Sequence, residues 1–190
     1  MKLKHGLVLG AILGMAAAQG AFADPTALDL ARKGDDFVGT QSKDKVLQIW
    51  SEKSVAVLTP NIWYVDYYDP DAGWKTVEVK FGGGQEMEVT HPSHIFQGHP
   101  NAVDIFDMSH INMDSPRALR IAAAQPLIKA LTLKESQMTL HRTGDGVVWT
   151  VELWAAKVND STKEADIGTV TVNADDGSVV KMDLHPDKAD

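Results

Sequence analysis

Between Thr90 and Asp114 the chain carries four histidines, His91, His94, His99 and His110, with Met108 and Met113 close by. Neutral imidazoles and thioethers are ligands that copper and zinc accept, so a metal-handling site is one chemistry this stretch could support. The run His91-Pro92-Ser93-His94 matches no defined metal spacing, and Pro92 and Pro100 stiffen the segment. Solvated histidines in a linker are the competing reading. A second cluster, Trp63, Tyr64, Tyr67, Tyr68 and Trp74, is aromatic. Strand alternation sends Trp63 and Tyr67 to one face and Tyr64 and Tyr68 to the other. Tyr64 and Tyr68 are thus candidate anchors for a protein or peptide partner, because large amphipathic rings dominate such contacts. Their preference for strands accounts for them equally well.

Other chemistry is thinly represented. The chain has no Cys, which excludes thiol catalysis, thiolate metal sites and disulfides. G-x-S-x-G, H-E-x-x-H, the Walker loop and G-x-G-x-x-G are all missing, and the reading is a non-enzymatic protein with no resident cofactor. Asp69-Pro70-Asp71-Ala72-Gly73 lacks the third acidic ligand of a calcium loop, and Lys80 stands where its bidentate Glu would be. A turn is the expectation there.

The elements that must position these residues are mostly strands. Val147, Trp149, Val151 and Leu153 share one face of a strand; Val170 and Val172 do so on a second, and Val180, Met182 and Leu184 on a third. A period of two with polar residues between marks a sheet with one buried face. Ile62 to Tyr68, Val77 to Phe81 and Met87 to Val89 follow the same plan, with Gly82-Gly83-Gly84 as a tight turn and Met87 and Val89 facing inward. A short amphipathic turn is expected through Ala27 to Ala31. Ser42 is read as the cap of a helix over Lys43 to Glu52 with Val46, Leu47, Ile49 and Trp50 as its core stripe. Ser115-Pro116 opens another helix, which Pro126 kinks or restarts.

The N-terminus has Lys2 and Lys4, an apolar run from Leu7 to Ala18, and Ala21-Phe22-Ala23 before Asp24. A basic start, a short apolar core and an A-x-A site predict a secretory signal peptide over 1–23, and a periplasmic or secreted protein with no membrane association after cleavage. Removing Lys2 and Lys4 leaves 18 − 2 = 16 basic against 26 acidic residues, a charge of −10. That balance argues against nucleic acid and anionic membrane, which need a basic footprint.

Two halves of the chain align. Trp63-Tyr64-Val65-Asp66 matches Trp149-Thr150-Val151-Glu152 at 149 − 63 = 86, and Val77-x-Val79 matches Val170-x-Val172 at 170 − 77 = 93. The difference places a seven-residue insertion in the loop 158–166, which costs little. The stretch Val170-Thr171-Val172-Asn173-Ala174-Asp175-Asp176-Gly177-Ser178-Val179 resembles the PepSY domain family, whose last hairpin turns on a similar V-x-V-x-A-x-x-G-x-V pattern. The resemblance covers about Ser115 to His185, and Ser42 to Val89 more loosely. Asn173 stands where the family more often has Asp, and Phe81 where the Ala would be. It implies a helix packed on a small antiparallel sheet in an exported protein that binds or restrains a peptidase, with no catalytic residues to carry over.

The expectation is therefore an α+β protein of two tandem helix-plus-antiparallel-sheet units, 24–90 and 115–190, with one helix packed on a face of each sheet and a His-rich linker, 91–114, between them. Mass spectrometry of the exported protein should find a chain starting at Asp24; an intact Met1 would refute the signal peptide.

Overall fold

The computed structural model describes residues 24–92 and 101–190. Helix α1 (Ala27–Gly34) precedes β1 (Val46–Ser51), β2 (Ile62–Tyr68), β3 (Thr76–Gly82) and β4 (Gln85–Thr90). Helix α2 (Ser115–Ala123) precedes β5 (Leu133–Thr143), β6 (Gly146–Ala156), β7 (Glu164–Asn173) and β8 (Val179–Leu184). All eight strands form one antiparallel sheet in the order β4-β3-β2-β1-β5-β6-β7-β8. The expectation of two tandem helix-plus-sheet units is overturned by this continuity. β1 pairs with β5, and one hydrophobic core runs from Leu28 and Leu30 through Val65, Phe81 and Trp149 to Val172.

Helix α1 lies against β1 and β2, and α2 against β6 and β7, on the same core. The helices are also tied to each other. Asp114 caps α2 by accepting from the Ser115 amide at 2.6 Å, and the same Oδ1 accepts from the Leu28 amide of α1 at 3.2 Å. Ser115 Oγ accepts from the Ala27 amide at 3.2 Å. Amides in the first turn of a helix have no intrahelical partner, and here two of those of α1 are satisfied by the start of α2. The segment between the halves joins the core as well: Phe106 and Met113 are fully buried, and the Phe106 amide donates to the Val46 carbonyl at 3.1 Å.

The predicted helix over Lys43 to Glu52 is a strand, β1. Its pairing with β2 slips between Val46 and Gln48, so Leu47 is an extra residue in the ladder. That bulge puts apolar residues at 46, 47 and 49, a spacing that also fits a helix face. Trp50 consequently faces away from the core instead of into it. The expected inward positions Met87, Val89, Val180 and Met182 are 58%, 40%, 52% and 47% exposed. Met87 and Val180 are the extra residues where the ladders with β3 and β7 slip, and all four lie on the outermost strands, beyond the strands that the helices cover.

Trp63 and Trp149, matched by the alignment, are both buried and meet edge to face with centroids 6.4 Å apart. Each indole donates to a backbone carbonyl, Trp63 to Pro60 at 3.2 Å and Trp149 to Met113 at 2.9 Å. Their registers differ. Trp149 sits opposite Val172, whose aligned partner is Val79, whereas Trp63 sits opposite Phe81.

The seam between the halves is short: Gln48, Ile49 and Trp50 pair with His141, Leu140 and Thr139. Beyond these three pairs, serine hydroxyls continue the ladder. Ser51 Oγ accepts from the Met138 amide and Ser54 Oγ from the Ser136 amide, both at 2.9 Å, while Ser136 Oγ donates to the Leu58 carbonyl at 2.6 Å. All three serines are buried. Stranding a buried amide costs about 1–3 kcal/mol, so Ser54→Ala should lower unfolding free energy by about that much in urea titration. Trp149→Ala, which empties the centre of the core, should cost about 3–5 kcal/mol in the same measurement.

Candidate functional site

The face of the sheet opposite the helices carries the polar half of each strand. On β2, Trp63, Val65 and Tyr67 enter the core, and Tyr64, Asp66 and Tyr68 point the other way. Asp66 lies opposite Glu78 on β3 and Gln48 on β1, and Gln48 lies opposite His141 on β5. Asp66 is only 4% exposed, and its Oδ1 meets no hydrogen-bond partner among the described residues. Burial raises its pKa well above the usual carboxylate range, and the charge and hydrogen bond of Glu78 add to this against a bond from Trp50. Burial also raises Glu78, opposed by its bonds to Asp66 and Thr90. Asp66 is therefore the member that keeps its proton, donating to Glu78. Burial pushes the His141 imidazole down, toward the neutral form, and its Nδ1 lacks a partner among the described residues.

Beside this row is an aromatic one. Trp50 and Tyr64 stack with centroids 4.0 Å apart and planes 6° from parallel, and Lys80 Nζ lies 4.9 Å from the Tyr64 ring centroid. Tyr64 donates its hydroxyl to Glu52 at 2.6 Å, and Lys80 pairs with Glu52 at 3.2 Å. Tyr64 is thus engaged by its own neighbours on both ring faces and at its hydroxyl. Tyr68, at the end of β2, is half-buried opposite Thr76. Across the seam, Lys53 pairs with Glu135 at 2.7 Å and with Glu164, its ammonium 4.6 Å from the Trp154 ring centroid.

His94 and His99 lie outside the described residues. His91 approaches Asp69 at 3.6 Å, and His110 approaches Asp107 at 3.9 Å. His110 and Asp107 line a cleft of about 300 Å³ with Arg142, Asp145 and Asp175. Among the described residues no group of three or more His, Asp or Glu side chains is placed to hold a metal ion. Met113 is a core residue instead of a free thioether.

The two edges of the sheet are β4 and β8. β4 reads Gln85-Glu86-Met87-Glu88-Val89-Thr90, with Met87 exposed between two glutamates and Val89 exposed after the second. β8 reads Val179-Val180-Lys181-Met182-Asp183-Leu184, exposed along all but its last residue. Charges and bulges are the devices by which edge strands resist indiscriminate pairing. Both edges carry them: the register slips between Lys80 and Phe81 beside β4, and between Thr171 and Val172 beside β8.

No family model, curated protein or solved structure matches this chain. Function must then be argued from the two rows and two edges alone. Among the described residues, no helix is long and apolar enough to cross a membrane.

Asp66 was within reach of sequence reading, as a lone acid between the aromatics of a strand. Its burial was not, because alternation places it on the polar face. The sign of its effect on stability follows from its raised value: the contribution is full below the unfolded value of about 4 and is lost as pH rises toward the folded one. Parent minus Asp66→Asn stability should therefore fall as pH rises through the range above about 4. His141, whose value is lowered, acts in the opposite direction and cancels in the difference. A flat difference in urea titrations across that range would contradict a buried, protonated Asp66.

Proposed function

We propose that the chain is a non-enzymatic exported binding protein that takes up an extended peptide segment of a protein partner along β4. The supporting observation is the composition of that edge. An outermost strand offers backbone donors and acceptors to an added strand, which supply affinity, while alternate side chains supply choice. On β4, Met87 and Val89 give apolar contact, and Glu86 and Glu88 select basic residues. A segment that brings both apolar and basic residues fits that edge, where the slip at Met87 places Glu86 opposite Phe81 and Glu88 opposite Lys80. The excess of 26 acidic over 18 basic residues in the chain favours the same partner over nucleic acid. The resemblance of the β7–β8 hairpin to PepSY domains makes a secreted peptidase the class of protein in which to look for it. Tyr64 and Tyr68 lie two strands away from β4 and are not the contact surface in this reading.

A synthetic eight-residue peptide of alternating valine and lysine, titrated by NMR, should shift the β4 amides. Replacing Glu86 and Glu88 together with lysine should weaken it by at least about tenfold, or about 1.4 kcal/mol. Shifts confined to the opposite edge, or affinity unchanged by the double replacement, would refute the assignment.

A further inference from the structure

We infer that β8 is a self-association edge, along which two copies of this chain pair antiparallel about Met182 to form one sheet across the dimer. The inference concerns the edge opposite to β4 and does not depend on what β4 binds.

A two-fold axis perpendicular to the sheet places the same strand of two copies side by side in antiparallel sense, each residue i opposite a residue j and the reverse. Centred on Met182, that operation sets Lys181 opposite Asp183 twice, once on each side of the axis. Opposite charges directly across a strand pair are favourable and like charges are not. Moving the axis to Asp183 opposes two aspartates, and moving it to Lys181 opposes two lysines. The charge pattern therefore selects one register. In that register Val180 faces Leu184 of the second copy. Met182, 47% exposed on the helix-bearing side of the sheet, meets its own counterpart.

The other edge has the opposite property. Pairing β4 with itself about Met87 would set Glu86 against Glu88 twice, so the same geometry is repelled there. The two ends of one sheet thus differ in what they accept. β8 is six residues long, and Val180 is the extra residue where the ladder with β7 slips. Pairing of one short strand falls in the small-interface class, so the dimer is expected to form in the micromolar range. His185 Nε2 lies 3.0 Å from Asp183 Oδ1, so Lys181 of the second copy joins an existing polar contact and buries no isolated charge.

Sedimentation velocity on the whole mature protein, from about 10 to 500 µM, should show a reversible monomer–dimer equilibrium. Lys181→Asp alone and Asp183→Lys alone should each weaken it by at least about tenfold, and the two together should restore it to within about threefold of the parent. Because the chain has no cysteine, Met182→Cys introduces a unique thiol. Under mild oxidation it should cross-link into a dimer faster than Val158→Cys, a thiol at an exposed loop position away from the edge. A parent that stays monomeric over that range would overturn the inference. Single charge variants that associate like the parent, a double variant that is not rescued, or equal cross-linking of the two thiols would each do so as well.

Discussion

Everything in this molecule depends on the join between β1 and β5. Each half is a meander of four neighbouring strands, and a sheet of that kind carries its own pairing with it. The two become one sheet through three residue pairs, after which the backbones diverge and buried amides of β5 would be left without partners. Ser51, Ser54 and Ser136 meet that requirement with side-chain oxygens, beside one backbone bond from the Ser54 amide to the Ser136 carbonyl at 2.9 Å. A hydroxyl can both donate and accept, which is why serine, and not alanine of nearly the same size, fits these buried positions.

The helix layer repeats this solution. Asp114 closes the first turn of α2 and the first turn of α1 with the same oxygen, so the start of α1 is not complete without the other half. On the far side of the sheet, Lys53 of the first half holds Glu135 and Glu164 of the second. The join is therefore made at three levels: above the sheet, within it and below it. Trp63 and Trp149 fill the interior where it crosses the middle.

The strands of this fold were legible because alternation is a local property. Six of the eight were recognisable from residues two apart, together with the glycine turn at Gly83 and Gly84, both of positive φ. The start of α2 was read one residue late, at Ser115-Pro116 where Asp114 is the cap, and α1 only as an amphipathic turn without its Thr26 cap. β1 was misread because the bulge at Leu47 turns a strand's spacing into a helix's. The assembly of the halves into one sheet was not legible at all. It rests on serines whose polarity says nothing of burial and on partners nearly ninety residues away. For the same reason the aromatic cluster was visible, but not that Tyr64 is held between Trp50 and Lys80, nor that Asp66 is enclosed.

The distance along the chain between the partners of the join has a consequence in time. Trp50 and Thr139 are 139 − 50 = 89 residues apart, and a ribosome adds roughly 5–20 residues per second. β1 therefore emerges with its inner edge bare, and its partner follows roughly 5–20 s later. During that interval the first half has two open edges instead of one. The edge that will become the middle of the sheet offers Gln48 and Trp50 on its polar side and the hydroxyls of Ser51 and Ser54 at its end, a surface that water can satisfy while it waits.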